Sequence, residues 1–262
     1  MDFGNASPFD CLMFDLDDTL YSSHTGIPKA LKKNIEDFLV EVCGFTCDQA
    51  SSMRVELFKA YGSTLAGLRA LGYNIDADDY HSFVHGKLPY ENIKPNPQLR
   101  NILLTITQRK IIFTNSDRVH AMKVLKRLGL EDCFEEIICF ETLNPNLSMA
   151  KYPEEISIVL KPSLNAMKIA ISAANINPCR TLFLDDNVRN VAAGKAMGLK
   201  TVLVGQTQKI PDADYVLETV KNLAQTIPEI WMINRSDQDD QQIIRRSRSD
   251  LENLVTVSVV GA

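Results

Sequence analysis

The stretch Cys11–Leu20, CLMFDLDDTL, decides the fold. Its short apolar run, Cys11 to Leu16, ends abruptly in carboxylates, which is the pattern of a buried parallel strand with a site at its carboxyl end. Lys110–Phe113 repeats the pattern and ends in Thr114 and Asn115. Glu136–Phe140 is a third run, Thr181–Leu184 a fourth that ends in Asp185 and Asp186, and Thr201–Val204, closed by Gly205, a fifth. Helical patterns lie between them. Val119, Met122, Leu125 and Leu128 read as one face stopping at Gly129, and Pro162 reads as opening a helix that carries Met167, Ala170, Ile171 and Ala174. Strands alternating with helices predict a doubly wound parallel α/β sheet, with its crevice outside the carboxyl ends of the strands near a switch in strand order.

About seventy residues separate the first strand from the second, where a helical crossover needs a dozen or so. Pro28 is read as opening a helix with Leu31, Ile35, Phe38, Leu39 and Val42 on one face; 48–61, 64–71 and 78–84 also read as helices. The segment 22–95 is therefore expected to be a small helical cap, with 9–21 and 96–231 forming the core. From 232 to 262 the composition turns polar and charged, including the cluster Arg245, Arg246, Ser247, Arg248 and Ser249, and a disordered tail is expected.

The 262 residues are 45% hydrophobic and 23% charged, enough to bury a substantial core. A net charge of -5 gives no footprint for direct nucleic-acid binding or for an anionic membrane. No apolar run approaches the ~20 residues of a membrane helix. The six cysteines are scattered behind an N-terminus unlike a cleavable signal, so a cytoplasmic location, with the nucleus as an alternative, and reduced thiols are expected. Cys43 and Cys47 lack a second Cys/His pair at zinc spacing.

Asp15 and Asp17 leave the first strand with the same parity, so their carboxylates crowd together. Like charges in a crevice share a proton or recruit a cation, and carboxylates without His or Cys suit Mg²⁺. Asp185 and Asp186 supply further acids. With a cation present, Asp15 can attack phosphorus as a nucleophile, while Asp17 protonates the leaving oxygen and then activates water. Thr114 and Asn115 can supply phosphate-binding donors from a hydroxyl and backbone N–H groups, and Lys161 a positive charge. Taken singly, Asp18 and Thr19 could be a helix cap and Lys161 a surface charge. The ordered set at three strand ends favours chemistry.

These residues resemble the four motifs of the haloacid dehalogenase superfamily, with Asp15–Thr19 as the first, Thr114 the second, Lys161 the third, and Asp185 with Asp186 the fourth. The resemblance implies a Rossmann-like core and an Asp15 nucleophile. It also implies Asp17 as acid and base, Thr114 and Lys161 as phosphate ligands, and Mg²⁺ held by Asp15, the Asp17 carbonyl and Asp186, with Asp185 in support. Residues 17–21, 61–68, 88–90, 113–116 and 183–189 resemble the pyrimidine 5'-nucleotidase branch, which includes plant proteins similar to a yeast suppressor of disruption of a transcription elongation factor. A small phosphorylated metabolite is the implied partner, a pyrimidine nucleoside monophosphate first. A vitamin phosphate, a sugar phosphate, a lysophospholipid, or a noncatalytic module on the same scaffold are the alternatives. Asp17 argues against dehalogenation, which needs no acid there. In the cap, Tyr21, Tyr61, Thr64, Arg69, Tyr80, His81 and His85 could touch a base or sugar, or simply pack. His81 and His85, four apart, could pair on a metal but lack an evident third ligand.

Overall fold

The computed structural model describes residues 6–147 and 157–232. Six strands, β1 (Cys11–Phe14), β2 (Arg109–Phe113), β3 (Glu136–Ile138), β4 (Thr181–Asp185), β5 (Lys200–Val204) and β6 (Tyr215–Leu217), form one sheet in the order β3-β2-β1-β4-β5-β6. Every pairing is parallel. β1 and β4 are buried along their whole length because helices cover both faces of the sheet.

The helices between and around these strands are α1 (Ile27–Glu41), α2 (Cys47–Tyr61), α3 (Thr64–Ala70), α4 (Ala77–Gly86), α5 (Pro97–Thr105), α6 (Arg118–Leu128), α7 (Phe140–Leu143), α8 (Leu164–Ala173), α9 (Val188–Ala196) and α10 (Leu223–Thr226). Alternation along the strands sorts side chains into two layers. Leu12 and Phe14 join Leu99 and Leu103 of α5 and Val124 and Leu128 of α6. Met13 and Phe183 face the other way, toward Met167 and Ala170 of α8. Helices α1 to α4 fall within 22–95 and share Phe38, Leu39, Leu57, Leu68, Tyr80 and Val84 with this second layer. Their starts follow local chemistry: Thr46 and Gln49 form a capping box, and the Ser63 and Asp76 side chains accept from first-turn N–H groups.

The register positions the site. Phe14 pairs with Ile112 on one side and Leu184 on the other, so the following residues, Asp15, Phe113 and Asp185, are level across three adjacent strands. Strand order reverses at β1 and β4, which places Asp15 and Asp185 at the switch.

Several sequence expectations need correction. Val119 and Met122 are 60% and 58% exposed; the buried stripe of α6 is His120, Ala121, Val124, Leu125 and Leu128. Val42 lies beyond the end of α1 and is exposed, while Phe38 and Leu39 are buried. Pro162 does not open α8, which starts at Leu164 under a Ser163 cap. β1 stops at Phe14 and β3 at Ile138, where Phe140 begins α7. β6, whose three residues carry too little pattern, was not expected. The expected tail, beyond Met232, lies outside the described residues. Among the described residues no helix is long and apolar enough to cross a membrane, and all six cysteines are free.

Candidate active site

Asp15 directly follows β1 and is 7% exposed, its N–H donating to the Leu184 carbonyl at 2.8 Å. Both carboxylate oxygens are engaged: Lys161 Nζ donates to Oδ1 at 2.7 Å and the Thr19 hydroxyl to Oδ2 at 2.9 Å. Thr19 thus orients Asp15 instead of serving as a cap. Lys161 is 2% exposed and also donates to Asp185 Oδ2 at 2.8 Å and to the Phe113 carbonyl at 2.7 Å. Burial works against its charge, but Asp15 and Asp185 outweigh it and hold the ammonium above its ordinary range.

Asn115 explains how a loop lysine is placed so firmly. Its Oδ1 accepts the Lys161 N–H at 2.8 Å and its Nδ2 donates to the Lys161 carbonyl at 3.0 Å, a reciprocal clamp between the β2 end and the segment before α8. The Asn115 side chain therefore holds Lys161, leaving only its backbone for an anion. Thr114, 1% exposed, accepts the Ser116 N–H on Oγ1 at 3.0 Å.

At the end of β4, Asp185 is fully buried and accepts from Asn187 N and Asn190 Nδ2, both 2.9 Å from Oδ1, besides Lys161. One ligand oxygen from each of Asp15, Asp185 and Asp186 lies within 4.8 Å of the others. Burial pushes the Asp15 carboxyl well up, against the pull of Lys161, and Asp185, Asp186 and Asp17 add to the rise. Burial, then Asp185 and Asp18, push Asp186 up to about 7. Asp18 Oδ1 is buried without a hydrogen-bond partner among the described residues. This surplus of negative charge around one ammonium, in an all-oxygen donor set, fits a hard divalent cation such as Mg²⁺.

Asp17 sits apart from this triad. Its Oδ1 accepts from the Tyr21 hydroxyl at 2.6 Å and from His120 Nε2 at 2.7 Å, and Oδ2 accepts from the Ser116 hydroxyl at 2.8 Å. Burial raises its carboxyl, but the His120 charge and these three hydrogen bonds prevail and hold it well below the carboxylate range. Burial likewise opposes a charged His120, and Asp17 overrides it, holding the imidazole above its ordinary range.

The structure brings together Asp15, Asp17, Thr114, Asn115, Lys161, Asp185 and Asp186 around the β1, β2 and β4 ends. Among the other candidates, Tyr21 binds Asp17, Tyr61 is 45% exposed, and Thr64, Arg69 and Tyr80 are buried. His81 and His85 stack with ring centroids 5.6 Å apart, and His85 Nδ1 bonds Asp117 instead of joining a metal set. Sequence reasoning missed Tyr90, Ser116, Asp117, His120 and Asn190. A signal existed for His120: it lies four residues before Val124 and eight before Leu128, a histidine on the apolar stripe of a helix.

Phosphate metabolism protein 8 of Saccharomyces cerevisiae is 27% identical over 218 residues, covering 79% of this chain, which spans 64% of that protein's length. Glyceraldehyde 3-phosphate phosphatase of Methanocaldococcus jannaschii is 22% identical over 237 residues, 82% of this chain and 94% of that one. A solved HAD phosphatase from Thermococcus onnurineus shares the fold, with a TM-score of 0.54 at 18% identity over 83% of this chain and 97% of that chain. The model of haloacid dehalogenase-like hydrolases matches residues 9–198, and with its parallel sheet and its acids at the switch point the chain belongs to that family.

Proposed function

We propose that the chain is a Mg²⁺-dependent phosphomonoesterase that works through an aspartyl phosphate on Asp15, with pyrimidine nucleoside 5'-monophosphates as its substrates. One observation carries the chemistry: Lys161 Nζ bridges Asp15 Oδ1 at 2.7 Å and Asp185 Oδ2 at 2.8 Å beside Asp186, so a nucleophilic carboxylate is fixed among groups suited to a cation and a phosphate. Two relatives, a phosphate metabolism protein and a glyceraldehyde 3-phosphate phosphatase, support phosphate chemistry.

Asp15 and Asp186, with the Asp17 carbonyl, are the residues to hold Mg²⁺, which when bound reduces repulsion between the carboxylate and the phosphoryl oxygens. Asp185, already bonded to Lys161, Asn187 and Asn190, orients the set. Thr114 Oγ1 accepts from Ser116, which leaves its own hydroxyl proton free to donate to a phosphoryl oxygen. An Asp15 oxygen forms a bond to phosphorus as the ester P–O bond breaks, and the departing oxygen takes a proton from Asp17, which the free site holds ionised and which takes up that proton as the ester dianion binds beside it. Water then gives a proton to Asp17 while its oxygen attacks phosphorus. The P–O bond to Asp15 breaks, freeing inorganic phosphate and restoring both acids.

The pyrimidine preference rests on the resemblance of residues 17–21, 61–68, 88–90, 113–116 and 183–189; the archaeal relative favours a triose phosphate as the second reading. Phosphate release from UMP, CMP, AMP, glyceraldehyde 3-phosphate, pyridoxal phosphate, flavin mononucleotide and lysophosphatidic acid, with Mg²⁺ and with EDTA, separates them. UMP and CMP should be hydrolysed fastest, only with Mg²⁺, and Asp15→Asn should abolish turnover in a folded protein. Faster hydrolysis of glyceraldehyde 3-phosphate would replace the substrate and keep the mechanism. No release from any ester by the folded wild type with Mg²⁺ would favour a noncatalytic module.

A further inference from the structure

A carboxylate's terminal torsion is broad and roughly two-fold, so an acid just beyond a strand end keeps one orientation only where donors fix its oxygens. Three donors surround Asp17, and His120 is the most deeply buried of them. Its ring is 2% exposed on the third residue of α6, with Nε2 2.7 Å from Asp17 Oδ1. Tyr90 Oη lies 2.8 Å from Nδ1. The tyrosine hydroxyl can donate to a bare Nδ1 or accept from a protonated one, and the ionised Asp17 carboxylate, which can only accept, requires the proton on Nε2 in both cases.

The mount extends into the inserted helices. The His120 N–H donates to Asp117 Oδ1 at 3.0 Å, and Asp117 Oδ2 bonds His85 Nδ1 on α4. The His85 and His120 rings lie 4.5 Å apart at 32°. Burial holds the His85 imidazole below its ordinary range. A continuous set of contacts thus runs from α4 through Asp117 and His120 to Asp17, with Tyr90, just after the inserted helices, at its side.

We propose that His120 is a positioning residue for Asp17: held by Tyr90 and by the His85-braced Asp117, it fixes the orientation from which Asp17 hands a proton to the leaving oxygen. The inference rests on the acid–base role proposed for Asp17. It assigns a catalytic consequence to residues that touch neither substrate nor metal, and it couples the seating of α4 to proton delivery.

The test compares two esters in the full chain with Mg²⁺: UMP or glyceraldehyde 3-phosphate, whichever the wild type hydrolyses faster, and p-nitrophenyl phosphate, whose leaving group departs without a proton. His120→Leu keeps the apolar volume and removes the donor, and His120→Gln returns an N–H near the place of Nε2. For the alkyl ester, kcat/KM should fall about 100-fold in His120→Leu, the lower end of what general acid catalysis contributes. For p-nitrophenyl phosphate it should fall less than about 3-fold, since phosphorylation of Asp15 then needs no acid. His120→Gln should recover at least about 10-fold for the alkyl ester, and Tyr90→Phe should show the same discrimination at smaller size. An equal fall for both esters, or no fall, overturns the proposal. Asp17→Asn, run alongside, separates the two failures. If it fails to discriminate between the esters, the acid–base reading itself is wrong; if it discriminates and His120→Leu does not, only the positioning role is lost.

Discussion

Lys161→Met removes an ammonium while keeping an unbranched apolar stem, so it isolates charge from packing. In the wild type all three N–H donors are engaged, on Asp15 Oδ1 at 2.7 Å, Asp185 Oδ2 at 2.8 Å and the Phe113 carbonyl at 2.7 Å, and the side chain is 1% exposed. Removing one partner of a buried ion pair costs about 3–5 kcal/mol, because the remaining charge stays buried and uncompensated. Here two carboxylates are left facing one another, and the orphaned Phe113 carbonyl adds to the cost. Proton uptake by Asp15, whose carboxyl burial already raises, offsets part of it. A loss of about 3–5 kcal/mol is therefore the expected net effect.

Urea unfolding followed by circular dichroism in EDTA measures this loss. Mg²⁺ at 100 times its Kd stabilises a protein by about 2.7 kcal/mol, and a variant with surplus negative charge should gain more than the wild type if its site still binds the ion. Adding Asp15→Asn to Lys161→Met removes one of the two stranded charges, so the double variant should be more stable than the sum of the single changes implies, by about 1–3 kcal/mol. A loss below about 1 kcal/mol in EDTA, or strict additivity, would refute the reasoning, because it would mean that the carboxylates do not depend on Lys161 for their charge.

Three further outcomes are expected. Asp186→Asn should raise the Mg²⁺ concentration for half-maximal phosphate release by at least about 10-fold, checked by titrating activity against free Mg²⁺. Asn115→Ala deletes both hydrogen bonds to the Lys161 peptide groups, and should cost about 1–3 kcal/mol in urea unfolding and lower kcat with it. Gly194→Val should destabilise by about 1–3 kcal/mol, read as a lower Tm, because a Cβ there would meet Phe183 Cδ1 at 2.6 Å and force α9 away from β4.

The parallel core was legible because each of its central strands carries a short apolar run, and because the acids stand where those runs stop. Asp15, Thr114, Asp185 and Asp186 could all be named from that single rule. Register did the rest: Phe14 opposite Leu184 makes Asp15 level with Asp185, a fact that needs the pairing but no unusual residue. Lys161 was found by its place before a helix, yet the sequence could not show its side chain buried between two carboxylates, which depends on the Asn115 clamp formed across 46 positions. β6 was invisible for a different reason: three residues at a sheet edge carry too little periodicity to separate a strand from a turn.

The error on α6 had the largest consequence for the site. A row chosen as 119, 122, 125 and 128 advances three residues at a time, and each such step falls about 60° short of a full turn. After three steps the row has crossed to the other side of the helix, so Val119 and Leu128 cannot share a face; Val119 is 60% exposed and Leu128 is 3%. The set at i, i+3, i+4 and i+7, residues 121, 124, 125 and 128, stays on one side, and His120 lies beside it and is buried with it. Read that way, the helix presents in its first turn a histidine among alanine, valine and leucine, seven residues after the end of β2. A buried imidazole needs partners for both nitrogens. A hydroxyl partner, Tyr90, and a carboxylate partner, Asp17, come from segments on either side of the inserted helices, so the correct face of α6 leads directly from an apolar stripe to the Asp17 side of the site.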